Sequence, residues 1–383
     1  MPTQKQMVSS LNFAGNGERP LMPSELTQLR PVLATGERPA EMVERASRQR
    51  IHVLTDSDDG PPKPEIGRVE GADGNVWHVD VPVGTAGDVP LPGRTAIQGL
   101  RQEPLSGTDH DGDVPPHRPD WLDLFYVPRV LPSRRQKQKP ISRLDGDGTQ
   151  LRWVIGPDNR QELNETSWPW GCVGKIFTSA GWTGSGALVG RRVLLTAGHV
   201  VPWADVAAGN WWMRFVPAHY NGTSLHGAGV QSYVSDVSGF NPDLAGGETA
   251  AYDRAVCRLY EPLGDQLGFF GMGHYLPAWN GQSWWTNMGY PYIYWLLGTS
   301  YESGISVHAA YSDINGGIEC LHYGDITPGA SGGPMFAFFG QGNPRIIAVQ
   351  SSDNADASAG MVNYAAGGPG LVDDVVWARQ NWA

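Results

Sequence analysis

Three short segments of the chain carry residue types that together can activate a hydroxyl group. Histidine, aspartate and serine occur in this order, in the segments Leu195–His199, Tyr252–Val256 and Pro328–Pro334. A serine hydroxyl is a poor nucleophile at neutral pH, so an adjacent imidazole must take its proton while a carboxylate fixes the tautomer of that imidazole. The segments predict His199 as the base, Asp253 as its carboxylate partner and Ser331 as the nucleophile of an acyl transfer.

The serine segment taken alone fits two classes of hydrolase. Gly329 to Gly333 also matches G-x-S-x-G, the motif that presents the nucleophile in α/β-hydrolases. In that fold the catalytic histidine follows the serine in the chain. None of the ten histidines of this sequence lies after Ser331, so chain order excludes the α/β-hydrolases.

Two aspartates compete for the place beside the imidazole. Asp253 leads into the apolar run Ala255–Cys257, which is typical of a strand and would hold the carboxylate rigidly. Asp243 lies near asparagine, proline and glycine residues, which favour a loop. The pattern therefore favours Asp253.

Short apolar runs indicate the elements that must position these residues. Gly186–Val189 and Arg192–Thr196 are separated by two residues and predict paired strands that lead to the histidine. Ile346–Gln350 predicts another strand after the serine segment. Apolar residues at helical spacing in Leu371–Arg379 predict a C-terminal helix over about 371–380.

With these motifs, the chain from about Val154 to its end resembles the chymotrypsin-like (trypsin-like) serine peptidases, nearest the branch that contains microbial glutamyl endopeptidases. Three further segments carry the resemblance: Val154–Arg160, Thr183–Gly186 and Gly289–Pro291. The resemblance implies an all-β fold of two antiparallel six-stranded β-barrels with a C-terminal helix, and an active site between the barrels. It also implies a serine endopeptidase that hydrolyses peptide bonds of a protein or peptide substrate through an acyl-enzyme intermediate, without a cofactor.

The resemblance extends to groups that assist the reaction. It implies that the backbone N–H groups of Gly329 and Ser331 hold the oxyanion of the tetrahedral intermediate. Glycine suits the first position because a side chain would obstruct the sharp turn that aims both amides into one cavity. Ser351 matches the position whose hydroxyl contacts the aspartate of the triad.

The resemblance leaves the specificity of the substrate pocket open. Asp325 precedes Ser331 by six residues, where trypsin carries the acid that binds arginine or lysine, but glutamyl endopeptidases often have an acid at the same offset. The histidine with which those enzymes hold a glutamate side chain falls at Gln350, which is neutral. Thr327 and Gln350 are expected to shape the pocket. Basic side chains are the favoured substrate class, with a neutral or mixed preference as the alternative.

The resemblance divides the chain into two regions. Residues 151–383 form the peptidase domain, with barrel one at about 154–262 and barrel two at about 263–370. Residues 1–150 hold 18 of the 30 prolines, two of the 15 tryptophans and no cysteine. This composition predicts an N-terminal extension that is partly extended or disordered and serves as a pro-region or regulatory segment.

Within the extension, two stretches predict local structure. Ala40–Arg50 is a run of helix formers, and Val76–Val81 alternates well enough for an isolated strand. The basic cluster Arg134–Lys139 marks the boundary to the peptidase domain, either as a solvated linker or as a processing site that releases the peptidase.

The residue before the serine bears on activation. Trypsin-like zymogens carry an aspartate there, which pairs with a newly cut N-terminal amine, whereas this chain has Ala330. Alanine cannot form that ion pair, so activation of this kind is not expected. If residues 1–150 control activity, we expect them to contact the catalytic cleft or to assist folding.

Composition and motifs argue against several other classes of protein. The net charge of −11 disfavours nucleic-acid binding, and the lack of an 18-residue apolar run disfavours a membrane span. The acidic run from Asp109 lacks the glycine and glutamate of a calcium loop, since Val114 and Asp120 occupy those positions. No zinc-site spacing and no H-E-x-x-H motif occurs, so no metal is expected.

Cysteine usage predicts a fold that does not depend on disulfides. Relatives commonly carry a bridge between two positions that are Trp182 and Val200 here. The three cysteines are an odd number, so at least one is free or intermolecular. Localisation stays open, because the resemblance implies secretion whereas Met1–Met7 leads into no apolar run of a secretion signal.

Two alternatives belong to other functional classes. One is an inactive binding module with the same fold, against which the complete set of histidine, aspartate, serine and glycine loop counts. The other is an acyl hydrolase that acts on small esters on the same scaffold. An active-site label separates the first from an enzyme, and a comparison of peptide and ester turnover separates the second from a peptidase.

Overall fold

The computed structural model describes residues 18–36, 114–123, 125–130, 154, 158–239, 250–291, 298–312, 316–354 and 362–382, together with four short strands before residue 81. Its first elements are β1 (Gln6–Met7), α1 (Pro23–Leu26), β2 (Val32–Leu33), β3 (His52–Leu54), β4 (Arg68–Glu70), β5 (Val76–Asp80), β6 (Phe125–Tyr126), β7 (Gln161–Leu163), β8 (Val173–Thr178), β9 (Thr183–Leu188), β10 (Val193–Thr196), α2 (Trp203–Ala208), β11 (Met213–Pro217), β12 (His219–Tyr220) and β13 (Thr223–Ser224). The later elements are β14 (Ser232–Gly239), β15 (Ala255–Leu259), α3 (Leu263–Leu267), β16 (Gly271–Met272), β17 (Trp285–Gly289), β18 (Thr299–Ile305), β19 (Val307–Ser312), β20 (Ile318–His322), β21 (Pro334–Phe339), β22 (Asn343–Asn354), β23 (Val362–Gly367) and α4 (Pro369–Asn381).

Six antiparallel strands close into a barrel in the order β10, β15, β14, β11, β8, β9. The predicted strand pair is confirmed, since Leu194 pairs with Leu188 across the β9–β10 hairpin. Small residues let the barrel close tightly. A Cβ on Gly184 would lie 2.6 Å from a methyl carbon of Val200, and one on Gly186 would lie 2.8 Å from Leu194.

The second sheet corrects the expectation of two closed six-stranded barrels. Its strands follow the order β1, β19, β20, β23, β22, β21, β17, β18, β7, with β16 parallel to β22, and the sheet stays open. Strands β18 and β19 are separated only by Ser306, so the chain bends there without pairing these strands. The other sides of β18 and β19 pair over short stretches with β7 and β1, which are the two edge strands of the sheet.

The predicted C-terminal helix is present as α4. Its buried face consists of Leu371, Val372, Val375 and Ala378, and it packs against β10 and β15 of the barrel. Pro369 occupies the first turn, where a missing N–H is tolerated. The helix therefore lies behind the two strands that carry the candidate histidine and aspartate.

Two segments from the N-terminal region pack on the second sheet. The N–H of Leu21 donates to the carbonyl of Phe338 at 2.7 Å, and Glu18 forms an ion pair with Arg345 at 2.8 Å. Leu26 is 1% exposed, and it belongs to the main apolar core, as do Val114 and Tyr126. Residues 18–36 and 114–130 thus contribute side chains to the same core as the barrel.

Other expectations for the extension have different outcomes. The strand expected over Val76–Val81 is present as β5, but it lies between β3 and β4 rather than alone. Ala40–Arg50 and Arg134–Lys139 lie outside the described residues. No helix in the described ranges is long and apolar enough to cross a membrane. Those same ranges hold no group of three or more side chains that could share a metal ion.

Candidate active site

His199 and Asp253 lie at the same end of two paired strands. His199 is in a 3-10 turn, Gly198–Val200, that follows β10, and Asp253 comes two residues before β15. Thr196 pairs with Ala255 in the barrel, so the segments that follow β10 and precede β15 meet at one edge. This register brings together two side chains that are 54 residues apart in the chain.

Asp253 accepts hydrogen bonds from two groups of His199. Its Oδ2 lies 2.6 Å from Nδ1 of the imidazole, and its Oδ1 accepts from the backbone N–H of His199 at 2.8 Å. The hydroxyl of Ser351 donates to the same Oδ2 at 2.6 Å. The side chain of Asp253 is 7% exposed, whereas the side chain of His199 is 39% exposed. The imidazole is thus held on its Nδ1 side by a buried carboxylate.

The environment keeps Asp253 ionised. Burial alone raises the pKa of a carboxyl group, but the charge of His199 and the hydrogen bonds from His199 and Ser351 together lower the pKa of Asp253 below its usual value. An ionised carboxylate at this distance fixes Nδ1 of His199 as the protonated nitrogen. Nε2 is then the nitrogen that can accept a proton.

The Ser331 loop is locked against the barrel. Ser185 donates from its N–H to the carbonyl of Ser331 at 2.8 Å, and from its hydroxyl to the carbonyl of Gly329 at 2.7 Å. Gly332 has a φ of 81°, and a Cβ there would overlap the Thr196 hydroxyl and the Ser185 carbonyl. The half-buried Ser331 is therefore held against β9, which pairs with the strand that leads to His199.

Two backbone N–H groups of this loop donate to no acceptor among the described residues. The N–H groups of Ala330, Gly332 and Gly333 each donate to a backbone carbonyl. Within the described part of the chain, the N–H groups of Gly329 and Ser331 have no acceptor. Gly329 has a φ of 93°, which is a conformation that favours glycine. These are the two donors that the resemblance assigns to an oxyanion.

Asp325 and Thr327 are both engaged by the segment 158–160. The Oδ2 of Asp325 accepts from the backbone N–H of Asn159 at 2.7 Å, and Asp325 is 3% exposed. The hydroxyl of Thr327 accepts from Arg160 at 2.8 Å, and Arg160 forms a buried ion pair with Asp158 at 2.7 Å. A basic substrate side chain that sought Asp325 would therefore meet a carboxylate already occupied by the protein's own backbone.

Gln350 is held by a buried histidine. The N–H of Gly324 donates to Nδ1 of His322 at 3.2 Å, so Nε2 carries the ring proton and donates to Oε1 of Gln350 at 3.0 Å. Burial lowers the pKa of His322 to about 4, so this ring is neutral at pH 7. Nε2 of Gln350 is buried and has no hydrogen-bond partner among the described residues. The amide thus has a fixed direction and two unused donor hydrogens.

Comparison with known proteins identifies the family. The model of the trypsin family matches residues 158–366. The chain belongs to the trypsin family. The glutamyl endopeptidase of Bacillus licheniformis is 28% identical over 188 residues, which cover 49% of this chain and 55% of that protein. The chain therefore spans about half the length of this curated relative.

Solved structures of proteases are also similar to this trypsin-family chain. A Glu endopeptidase in complex with MPD has 19% identity and a TM-score of 0.48, covering 60% of this chain and 100% of that one. The thermostable serine protease AL20 from an extremophilic microorganism has 21% identity and a TM-score of 0.43, covering 55% and 98%. The protease Anisep from Arthrobacter nicotinovorans has 20% identity and a TM-score of 0.38, covering 54% and 93%.

Two charged residues that contact the segments of this site, Glu302 and Arg254, were not predicted from the sequence. Glu302 accepts from the N–H of Asp325 at 2.7 Å, and burial together with the charge of Asp325 raises the pKa of Glu302 to about 8. Arg254 follows Asp253 directly and pairs with Asp374 of α4 at 2.8 Å, which ties the aspartate segment to the helix. Their partners are more than 20 residues away in the chain, so no local sequence pattern points to these contacts.

Proposed function

We propose that this chain is a serine endopeptidase in which His199, Asp253 and Ser331 form the catalytic triad. The observation that carries the proposal is the pair of hydrogen bonds that Asp253 accepts from the ring and the backbone of His199. Such a pair orients an imidazole so that it can act as a general base. Membership of the trypsin family and the order of the three residues support the same reaction.

In this mechanism the hydroxyl of Ser331 attacks the carbonyl carbon of the scissile peptide bond. Nε2 of His199 accepts the hydroxyl proton, and the ionised Asp253 stabilises the imidazolium that forms. His199 then gives this proton to the leaving amine, and the acyl group stays bonded to Ser331 as an ester. Water, deprotonated by the same nitrogen, hydrolyses the ester and restores the hydroxyl.

The N–H groups of Gly329 and Ser331 are proposed as the oxyanion donors. Both lack an acceptor within the described residues, whereas the three neighbouring amides of the loop are satisfied. Donors that are already held in the right geometry stabilise the charge that develops on the carbonyl oxygen, because the protein does not need to reorganise during the reaction. Each such donor contributes roughly 3 kcal/mol to transition-state stabilisation.

For the substrate side chain before the cut, we propose a preference for groups that accept hydrogen bonds rather than for basic groups. Asp325 and Thr327 are occupied by Asn159 and Arg160, and they are proposed to support the pocket wall. The side-chain amide nitrogen of Gln350 has no hydrogen-bond partner among the described residues, and His322 fixes the direction of this amide. Cleavage after lysine or arginine would contradict this part of the proposal.

We propose that the folded catalytic unit consists of residues 151–383 together with the segments 18–36 and 114–130. Leu26 and Tyr126 share the core of the peptidase region, so these segments have a structural role in addition to any regulatory one. Contact between residues 1–150 and the catalytic cleft remains a separate proposal. Labelling of Ser331 by a fluorophosphonate before and after limited proteolysis tests it, because an extension that covers the cleft would slow labelling of the intact chain and equal rates would contradict the contact.

The test of the proposed function compares the full chain with Ser331→Ala on a diverse mixture of peptides, analysed by mass spectrometry. Cleavage by the wild type alone supports the triad, and the residues before the cuts report the preference of the pocket. A fluorophosphonate probe should label the wild type and not the variant, since only an activated serine reacts. Absence of both label and cleavage contradicts the proposal, and turnover of small esters without any peptide cleavage contradicts the peptidase assignment.

A further inference from the structure

Two tryptophan side chains hold the turn that carries His199. The indole N–H of Trp203 donates to the carbonyl oxygen of Gly198 at 2.8 Å. The indole N–H of Trp182 donates to the carbonyl oxygen of Val200 at 2.9 Å. Gly198 and Val200 are the residues directly before and after His199, so the two indoles bind the turn on both flanks of the histidine.

Each indole is itself anchored to a rigid element. The carbonyl of Trp182 accepts from the N–H of Thr178 at 3.2 Å and from its hydroxyl at 2.9 Å, which fixes the tight β8–β9 turn. Trp203 is the first residue of α2 and is 7% exposed. The position of the histidine turn therefore depends on the β8–β9 turn of the barrel and on α2.

The position of this turn determines the geometry of the imidazole. Asp253 binds the backbone N–H of His199 with one oxygen and the ring with the other, so a shift of the backbone changes both contacts. Ser331 is held by a different set of bonds, to Ser185 of β9. A displaced turn would therefore change the distance between the imidazole and the hydroxyl.

We propose that Trp182 and Trp203 are positioning residues for His199, acting through their indole N–H groups. The inference rests on the proposed function, in which His199 is the general base. The two indoles differ in exposure, since Trp182 is 39% exposed and Trp203 is 7% exposed. Trp203 provides both burial and a donor.

The test replaces each indole by a ring that cannot donate. Trp182→Phe and Trp203→Phe should lower kcat by about 10- to 100-fold while KM changes by less than about twofold, because small misplacements of a catalytic group reduce only the chemical step. The matched control is Trp284→Phe, which removes an indole that donates to Met22 beside the second sheet. It should keep kcat within about twofold of the wild type.

A proton NMR spectrum provides a readout that does not require turnover. The Nδ1 proton shared by His199 and Asp253 should give a low-field resonance in the wild type and in Trp284→Phe, and it should broaden or disappear in Trp182→Phe. If kcat and this resonance are unchanged in both Trp182→Phe and Trp203→Phe, the inference is wrong, even if their unfolding temperatures fall. A wild type that shows the resonance but cuts no peptide would refute the proposed function and leave the positioning role measurable.

Discussion

Leu26 offers a direct test of whether the N-terminal segment 18–36 belongs to the folded catalytic unit. This residue ends α1, is 1% exposed and lies in the apolar core that also contains Phe336 and Phe338 of the second sheet. Leu26→Ala removes three carbon atoms from a site with no contact to solvent. Replacing a buried leucine by alanine costs about 2–5 kcal/mol, because transfer free energy is lost and a cavity remains.

The expected effect is large enough for thermal unfolding to measure. A loss of about 3 kcal/mol lowers the unfolding temperature by about 6–12 °C in a domain of this size. Leu33→Ala is the matched control, since Leu33 lies in the same segment and is 60% exposed. Its effect on the free energy of unfolding should stay within about 0.5 kcal/mol.

Both variants are followed by circular dichroism and by urea unfolding, with activity measured on the same samples. Equal and small effects of Leu26→Ala and Leu33→Ala would refute the reasoning, because they would show that α1 can leave without disturbing the core. A large effect of Leu26→Ala alone would also predict that truncation to Val154 weakens the fold, since Tyr126 and Leu26 would both be lost.

Three further outcomes are expected. Asp253→Asn should lower kcat about 10⁴-fold in a steady-state assay, because the amide favours the wrong tautomer of the imidazole, and a loss below tenfold would contradict the triad. Folding raises the pKa of Glu302 from 4.5 to about 8, so the free energy of unfolding should fall as pH rises between these values. Urea unfolding at several pH values should show a weaker pH dependence for Glu302→Gln than for the wild type. An unchanged slope would place the titration elsewhere. Gly332→Ala should abolish activity and strongly destabilise the fold, whereas Gly281→Ala, at a similar φ of 76° but in open space, should retain activity. Equal activity of these two glycine variants would show that the Ser331 loop is not tightly packed.

Features that depend on local chemistry could be predicted from the sequence. The strand pair before His199 and the helix α4 follow from apolar spacing that neighbouring residues already contain. The predicted contact of Ser351 with Asp253 also corresponds to a hydrogen bond in the structure. Resemblance to the family predicts this contact, and composition alone does not.

Features that depend on edges and distant partners could not be predicted. In the open second sheet β7 pairs with β18 and β1 pairs with β19, and nothing in a strand's own sequence specifies its edge partner. The positions at which the sequence shows no disulfide, Trp182 and Val200, are joined by an indole hydrogen bond instead.

The sequence by itself determined which residues could do chemistry and in what order they occur. The reaction requires a histidine, an aspartate and a serine in a glycine-rich loop, so these residues can be recognised in the sequence without a structure. Only the tertiary structure decided what surrounds them. The backbone N–H of Asn159 donates to Asp325, His322 donates to the side-chain oxygen of Gln350, and Leu26 packs in the apolar core. The physical reason is that each of these contacts joins residues with no local pattern in common, so only the packing of the whole chain brings them together.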